Sequence, residues 1–136
     1  MNEKFTTEIP VRFRDLDPMD HVNHAVYASY IEAARIDYID EVMEIRQQDA
    51  GFVIVNLEIS YKRPLTRGDE PTVTLWVTDL GTTSCTIEYE IRTADGEIAA
   101  TAETVMVQTN SEGQPEPLSD EVRERIAEYE NLEATA

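Results

Sequence analysis

His24-Ala-Val-Tyr-Ala-Ser-Tyr-Ile-Glu-Ala-Ala-Arg-Ile-Asp-Tyr-Ile-Asp-Glu-Val-Met-Glu-Ile-Arg46 runs without proline or glycine. Tyr27, Ile31, Ala34, Tyr38 and Val42 recur within it at spacings of four, three, four and four, which predicts a helix of about 20 residues with one strong apolar stripe. A second row, Val26, Tyr30, Ala33 and Ile36, makes the helix apolar over more than half its girth. Such a helix is expected to be wrapped by a sheet rather than laid on a flat surface. Upstream, Ile9, Val11 and Phe13 alternate with Pro10, Arg12 and Arg14, which predicts a short first strand over 9–14, at an edge because Pro10 has no amide to donate. Residues 15–23 are polar and without period, so the chain turns there.

After Gly51 the period changes to two. Val53, Val55, Leu57, Ile59 and Tyr61 form one face of a strand; Val73, Leu75 and Val77 a second; Cys85, Ile87, Tyr89 and Ile91 a third. Asp95-Gly96 is the dipeptide favoured in two-residue hairpins, and Ile98–Thr109 completes an antiparallel meander. Gly113, Pro115 and Pro117 mark a loop, after which Ser119 or Asp120 can cap a short acidic helix to about Tyr129. The fold class is α+β: an antiparallel curved sheet around one long central helix, with a short C-terminal helix. At 136 residues this is one domain, with the sheet and helix in 1–110 and the tail, 111–136, belonging to the same unit.

Eleven basic against 28 acidic residues give a net charge of −17, which excludes a general basic nucleic-acid surface. Lys4 and Lys62 are the two lysines. Many carboxylates with so little lysine is the composition expected of a halophile's protein, where self-repulsion is screened within about 3 Å at 1 M salt. The lone Cys85 allows no internal disulfide, so a reducing cytoplasm is the expected compartment. The N-terminus lacks a basic region followed by an apolar run, and no stretch approaches the ~18 apolar residues of a membrane helix. The protein is expected to be neither exported nor membrane-spanning.

The densest cluster of ionisable groups is the turn before the helix: Arg12, Arg14, Asp15, Asp17, Asp20, His21 and His24. As a calcium loop it fails, since counting from Asp15 places Met19 fifth, Asp20 where glycine is required and Val26 where glutamate is required. The histidines, three apart with no glutamate between them, do not form a zinc protease motif, and no metal is expected. Asp15 and Asp20 read as structural carboxylates, which at a helix start contribute ~0.3–1 kcal/mol each, and Asp20 and Asn23 suit capping. Cys85 sits on the inward face of a strand, where a lone cysteine is core, and Ser84 has no glycine-rich elbow, so neither is a credible nucleophile. What remains is a carboxylate beside a helix N-terminus, whose free amides stabilise a developing oxyanion. A thioester suits this arrangement, because a thiol of pKa ~8.5 leaves with little help from a general acid.

Val11-Arg-Phe-Arg-Asp-Leu-Asp-Pro-Met-Asp-His-Val-Asn-His-Ala-Val-Tyr27, followed by Glu32-Ala-Ala-Arg35 and later by Tyr61-Lys-Arg-Pro-Leu-Thr-Arg-Gly-Asp69, resembles the signature of the hotdog-fold acyl-CoA thioesterases of the 4-hydroxybenzoyl-CoA thioesterase superfamily. The likeness covers about residues 7–109. It implies a hotdog fold and hydrolysis of a coenzyme A thioester to acid and CoA, with no cofactor, since CoA is part of the substrate. It implies Asp17, the second Asp of an Asp-x-Asp pair, as nucleophile or general base, and the His24 amide as oxyanion donor, with the imidazole lining the site. Asn23 and Tyr27 are expected at the substrate, with Lys62, Arg63 and Arg67 as the local cations that meet CoA. Glycine is common in the family where this chain has Asp20. A homodimer, or dimer of dimers, with sites between protomers is also implied. The alternatives are a non-catalytic acyl-CoA-binding hotdog module and an enoyl-thioester hydratase.

Overall fold

The computed structural model describes residues 4–45 and 51–132. In chain order these form β1 (Phe5–Glu8), a single 3-10 turn (Phe13–Asp15), α1 (His24–Glu41), β2 (Phe52–Tyr61), β3 (Thr72–Leu80), β4 (Ser84–Arg92), β5 (Ile98–Gln108) and α2 (Asp120–Glu130). All strand pairs are antiparallel, and the five strands stand in the order β1-β3-β4-β5-β2, so β1 and β2 are edges. This is the α+β hotdog arrangement, one curved sheet with a long helix across one face. Among the described residues no helix is long and apolar enough to cross a membrane.

Tyr27, Ile31, Ala34 and Tyr38 are the buried stripe of α1. They share one core with Val73, Leu75 and Val77 of β3, Ile87 and Ile91 of β4, and Ala100 and Met106 of β5. Burying a large apolar side chain contributes ~1.5–3 kcal/mol, so this stripe fixes the helix on the sheet. The helix stops at Glu41, short of its expected end. Its last turn carries Asp40 and Glu41 and no basic residue, which the negative end of the helix dipole opposes. Glu44 then takes a left-handed φ of 56°. Arg46 lies outside the described residues.

The first strand is displaced from the sequence reading. β1 is Phe5–Glu8, paired with β3, and the ladder runs on only to the Ile9 amide, which donates to Pro71 O at 3.0 Å. Pro10 then offers no donor, and the Asp15 carboxylate accepts from the Arg12 amide and curls the chain into the 3-10 turn. Phe13, expected inward, is 79% exposed.

β2 departs differently. A bulge between Ile54 and Asn56 flips the alternation, so Leu57, Ile59 and Tyr61 lie opposite Thr104, Ala102 and Ala100 on the helix side, while Val53 lies opposite Val107. Val53 therefore leaves the inward face on which the sequence placed it, and Val55 is the extra residue, without a partner in the ladder. Leu57 and Tyr61 are nevertheless exposed, because β2 is an edge strand and the backbone of α1 approaches β1 and β3 most closely. Gly51 leads into this strand under a close approach, and a Cβ there would collide with Thr109 O.

The Asp95-Gly96 hairpin is one residue longer than its dipeptide predicts. Thr93 and Glu97 close it across Ala94, Asp95 and Gly96, with Gly96 at φ 87°. Ser119 caps α2 by accepting from the Val122 amide at 3.2 Å. Val122 and Ile126 enter the core, and Glu130 accepts from the buried Tyr38 hydroxyl at 2.5 Å and from the Val77 amide at 2.9 Å.

On the outer face of the sheet, Glu58 of β2 stands opposite Glu103 of β5, which stands opposite Glu88 of β4. Like charges directly opposite one another are destabilising by up to about 1 kcal/mol per pair. Thermal stability should therefore rise from low toward molar salt, and Glu103→Gln should raise the low-salt melting temperature by a few degrees while flattening that rise. Calorimetry at two salt concentrations checks this; a salt-independent wild type would contradict it.

Candidate active site

The loop that leads into α1 is organised around Asp15. Its carboxylate is 2% exposed and accepts from the Arg12 amide and the Tyr30 hydroxyl, each at 2.8 Å, with the Arg12 guanidinium at 3.5 Å. Burial pushes its pKa up, but these donors outweigh burial and hold it below the ordinary 3.8. Asp15 is thus structural as an anchor between the loop and the second turn of α1. The cap of α1 is Asn23, whose Oδ1 accepts from the Ala25 amide at 2.9 Å. The Asn23 amide donates to Asp15 O at 2.8 Å, and Leu16 and Val22 bridge, so residues 16–22 close into a small loop.

Asp17 sits inside that loop. Its Oδ1 accepts from the amides of Met19 at 2.8 Å and His21 at 3.1 Å, while its own amide donates to His21 O at 2.7 Å. Oδ2 receives no hydrogen bond from the described residues. The two amides, His21's foremost, hold the Asp17 pKa below 3.8, and the nearby His21 and His24 act in the same direction. At the start of α1 the Ala25 amide is taken by Asn23 Oδ1 and the Val26 amide by Asn23 O at 2.9 Å. The His24 amide meets no acceptor among the described residues.

The His24 imidazole lies against Tyr61, ring centroids 4.4 Å apart, and the Tyr61 hydroxyl donates to His24 O at 3.0 Å. Tyr27 meets Tyr61 edge-on at 5.0 Å, and its own hydroxyl, buried, accepts from the Leu65 amide at 3.0 Å. Burial raises the Tyr27 pKa. His24, Tyr27 and Tyr61 line a cavity of about 230 Å³ with Lys62, Arg63 and Pro64. Arg63 is ion-paired with Glu97.

The three cations that the sequence groups together are divided. Lys62 and Arg63 face that cavity, whereas Arg67 turns to the Asp17 loop, where it pairs with Asp20 at 3.2 Å and lies 5.3 Å over the Phe13 ring. Asp20 has a φ of 62°, in the left-handed region where glycine is unstrained and aspartate is better tolerated than most residues. Two contributors escape a sequence reading: Tyr30, placed in the second apolar row of the helix, and Tyr61, placed in the core alternation of β2. Cys85 is fully buried, and burial foremost, with Glu130 and Asp79, pushes its thiol up to about 12. Among the described residues no three His, Cys, Asp or Glu side chains are grouped as a metal ion would require.

Residues 11–126 match the family model described as the thioesterase-like superfamily, and the chain belongs to that superfamily. Over 71 residues it is 38% identical to the long-chain acyl-CoA thioesterase FadM of Escherichia coli (strain K12), covering 50% of this chain and 54% of that protein, so the match spans about half the length of that relative. A thioesterase from Thermus thermophilus, solved in complex with coenzyme A and Zn, is 38% identical with a TM-score of 0.87, covering 94% of this chain and 95% of its own. SAV2348 of Staphylococcus aureus, solved in complex with CoA, has a TM-score of 0.90 over 100% of this chain and 89% of its own; at 19% identity it shows the shared fold.

Because Asp15 ties the loop to α1, Tyr30→Phe should cost ~1–3 kcal/mol by leaving a buried carboxylate short of a donor. Arg12→Ala, which removes a long contact from a half-exposed guanidinium, should cost much less. Urea denaturation of the two variants measures the difference; equal losses would contradict the anchor.

Proposed function

We propose that the chain hydrolyses acyl-CoA thioesters to a free carboxylic acid and CoA. The observation that supports this most is an Asp17 Oδ2 without a donor on the loop leading into a helix whose first amide, His24's, is without an acceptor among the described residues. In this reading Oδ2 attacks the thioester carbonyl carbon, and the displaced π pair becomes an oxyanion that accepts from the His24 N–H at the positive end of α1. Collapse breaks the C–S bond, and CoA leaves as a thiolate that takes a proton from water. Water then hydrolyses the Asp17-acyl anhydride, releasing the acid and restoring the carboxylate. The amides that hold the Asp17 pKa below the ordinary value keep the carboxylate ionised at neutral pH, and Oδ2 is the oxygen left without a hydrogen bond among the described residues.

The cavity beside His24 receives the thioester end, with Tyr27 and Tyr61 as walls, Asn23 beside the donor amide, and Lys62 and Arg63 toward the phosphates of a polyanion. The same reading includes a homodimer. β2 presents Val53, Ile54, Val55, Leu57 and Tyr61 to solvent along an unpaired edge, and a second copy pairing there would cover them and border the cavity at Tyr61.

Asp17→Asn should reduce turnover of acyl-CoA compounds by at least ~10²-fold in a free-thiol assay, with the fold intact. The oxyanion donor can be deleted separately. Proline is well accepted at the first position of a helix, and Asn23 already has the extended backbone, ψ 137°, that a following proline requires. His24→Pro should lower kcat ~10²–10³-fold, as loss of one oxyanion donor does, and far more than His24→Ala, which keeps the amide. Equal effects of the two variants would remove the amide from the mechanism.

Since Asp17 acts ionised, kcat/KM should hold from neutral pH down to the ordinary carboxylate value of 3.8 and fall only as the group is protonated below it. An acid limb near ~6.5 would assign the step to a histidine instead.

A further inference from the structure

Among the described residues Phe13 is the most exposed large apolar side chain, on the turn before the Asp17 loop. A single exposed apolar residue needs no explanation. This one is covered on one side by the Arg67 guanidinium, 5.3 Å from its centroid, and Arg14 follows it in the same turn. Positive charge therefore stands beside an exposed ring in a chain whose net charge is −17. An exposed π-face takes a nucleobase by stacking, and adjacent guanidinium groups take phosphates.

Resting on the thioesterase reading, we infer that Phe13 and Arg67 form the platform for the adenosine-phosphate end of CoA, with Asp20 as a built-in competitor for Arg67. The platform belongs to the lip of the catalytic loop. The Arg67 amide donates to Asp20 O at 3.3 Å, the Asp20 amide donates to Asp17 O at 3.0 Å, and His21 bridges Thr66. With the thioester at Asp17 and the diphosphate toward Lys62 and Arg63, the adenine and its 3′-phosphate are the part of CoA left to reach this rim. The Asp20–Arg67 pair is exposed at both partners, 63% and 59%. Exposed pairs contribute little, so a more highly charged phosphate displaces the carboxylate from Arg67. Asp20 meanwhile holds the guanidinium over the ring in the absence of ligand and opposes an incoming anion through its charge. That opposition is felt at low salt and is screened within about 3 Å at 1 M.

Calorimetric titration with CoA, and with pantetheine, which lacks the nucleotide, tests this without turnover. Phe13→Ala should weaken CoA about tenfold, the order expected for a lost base–aromatic stack, while Phe13→Trp, which keeps a π-face, should bind at least as well as wild type. Asp20→Asn, which keeps the left-handed backbone accessible, should tighten CoA about threefold at ~0.05 M salt, an advantage that vanishes at 1 M. The ratio of kcat/KM for an acyl-CoA over the matching acyl-pantetheine should move in the same directions. Unchanged CoA affinity in Phe13→Ala and Asp20→Asn overturns the proposal, whether or not thioesters are hydrolysed. So does a Phe13→Ala variant whose oligomeric state changes while its CoA affinity does not, since Phe13 would then serve contact between copies. CoA binding that responds as stated in a wild type that hydrolyses no thioester would leave this platform in place and remove the hydrolase reading.

Discussion

The Asp15 carboxylate, buried and hydrogen-bonded to the Arg12 amide and the Tyr30 hydroxyl, is the contact on which the site depends. By curling residues 12–15 it ends the approach of the first strand, and through Tyr30 it fastens that curl to the second turn of α1. The short loop that follows has its ends joined by the Leu16–Val22 bridge and the Asn23 amide on Asp15 O. Within so small a closure the amides of Met19 and His21 converge on one oxygen of Asp17, and its other oxygen takes no bond from the described residues. In the proposed mechanism that carboxylate, ionised at neutral pH and held by two amides, is the attacking group.

Around this loop the charges are of unequal kind. On the outer sheet face Glu58, Glu103 and Glu88 stand in a row of like charge that lowers stability wherever it is unscreened. At the loop, Asp15 is internal and paired, Asp17 is held by one oxygen, and Asp20 is outside and engaged with Arg67. Three carboxylates within six residues thus have three different environments, which a net charge of −17 does not reveal. The cations likewise fall into two groups, Lys62 and Arg63 at the cavity and Arg67 at the rim.

The long helix, the four later strands and the capped terminal helix were legible in the sequence, because each carries an unbroken period or a cap. Its losses have definite causes. The Ile9–Phe13 alternation imitates a strand, but a proline and a side chain-to-backbone bond from Asp15 override it. In β2 the extra residue, Val55, moves Val53 off the inward face, and periodicity has no marker for an insertion inside an apolar run. At the site, a carboxylate before a helix start and the Asn23 cap were visible from the residues, whereas the choice of Asp17 and His24 came from the family resemblance. The reach of Tyr30 back to Asp15 and of Tyr61 onto His24 was not visible, since both tyrosines sit in rows that read as core, and a hydroxyl's partner depends on tertiary approach.

In the proposed mechanism one oxygen of Asp17 and the His24 amide act on the same carbonyl. A crystal structure with a CoA ketone analogue, in which a methylene separates the sulfur from the acyl carbonyl, tests this most directly. The ketone oxygen is expected within ~2.7–3.1 Å of the His24 nitrogen, with Asp17 Oδ2 facing the carbonyl carbon at ~3–3.5 Å. A ketone bound elsewhere, or one whose oxygen is held by other donors with Asp17 turned away, would contradict it.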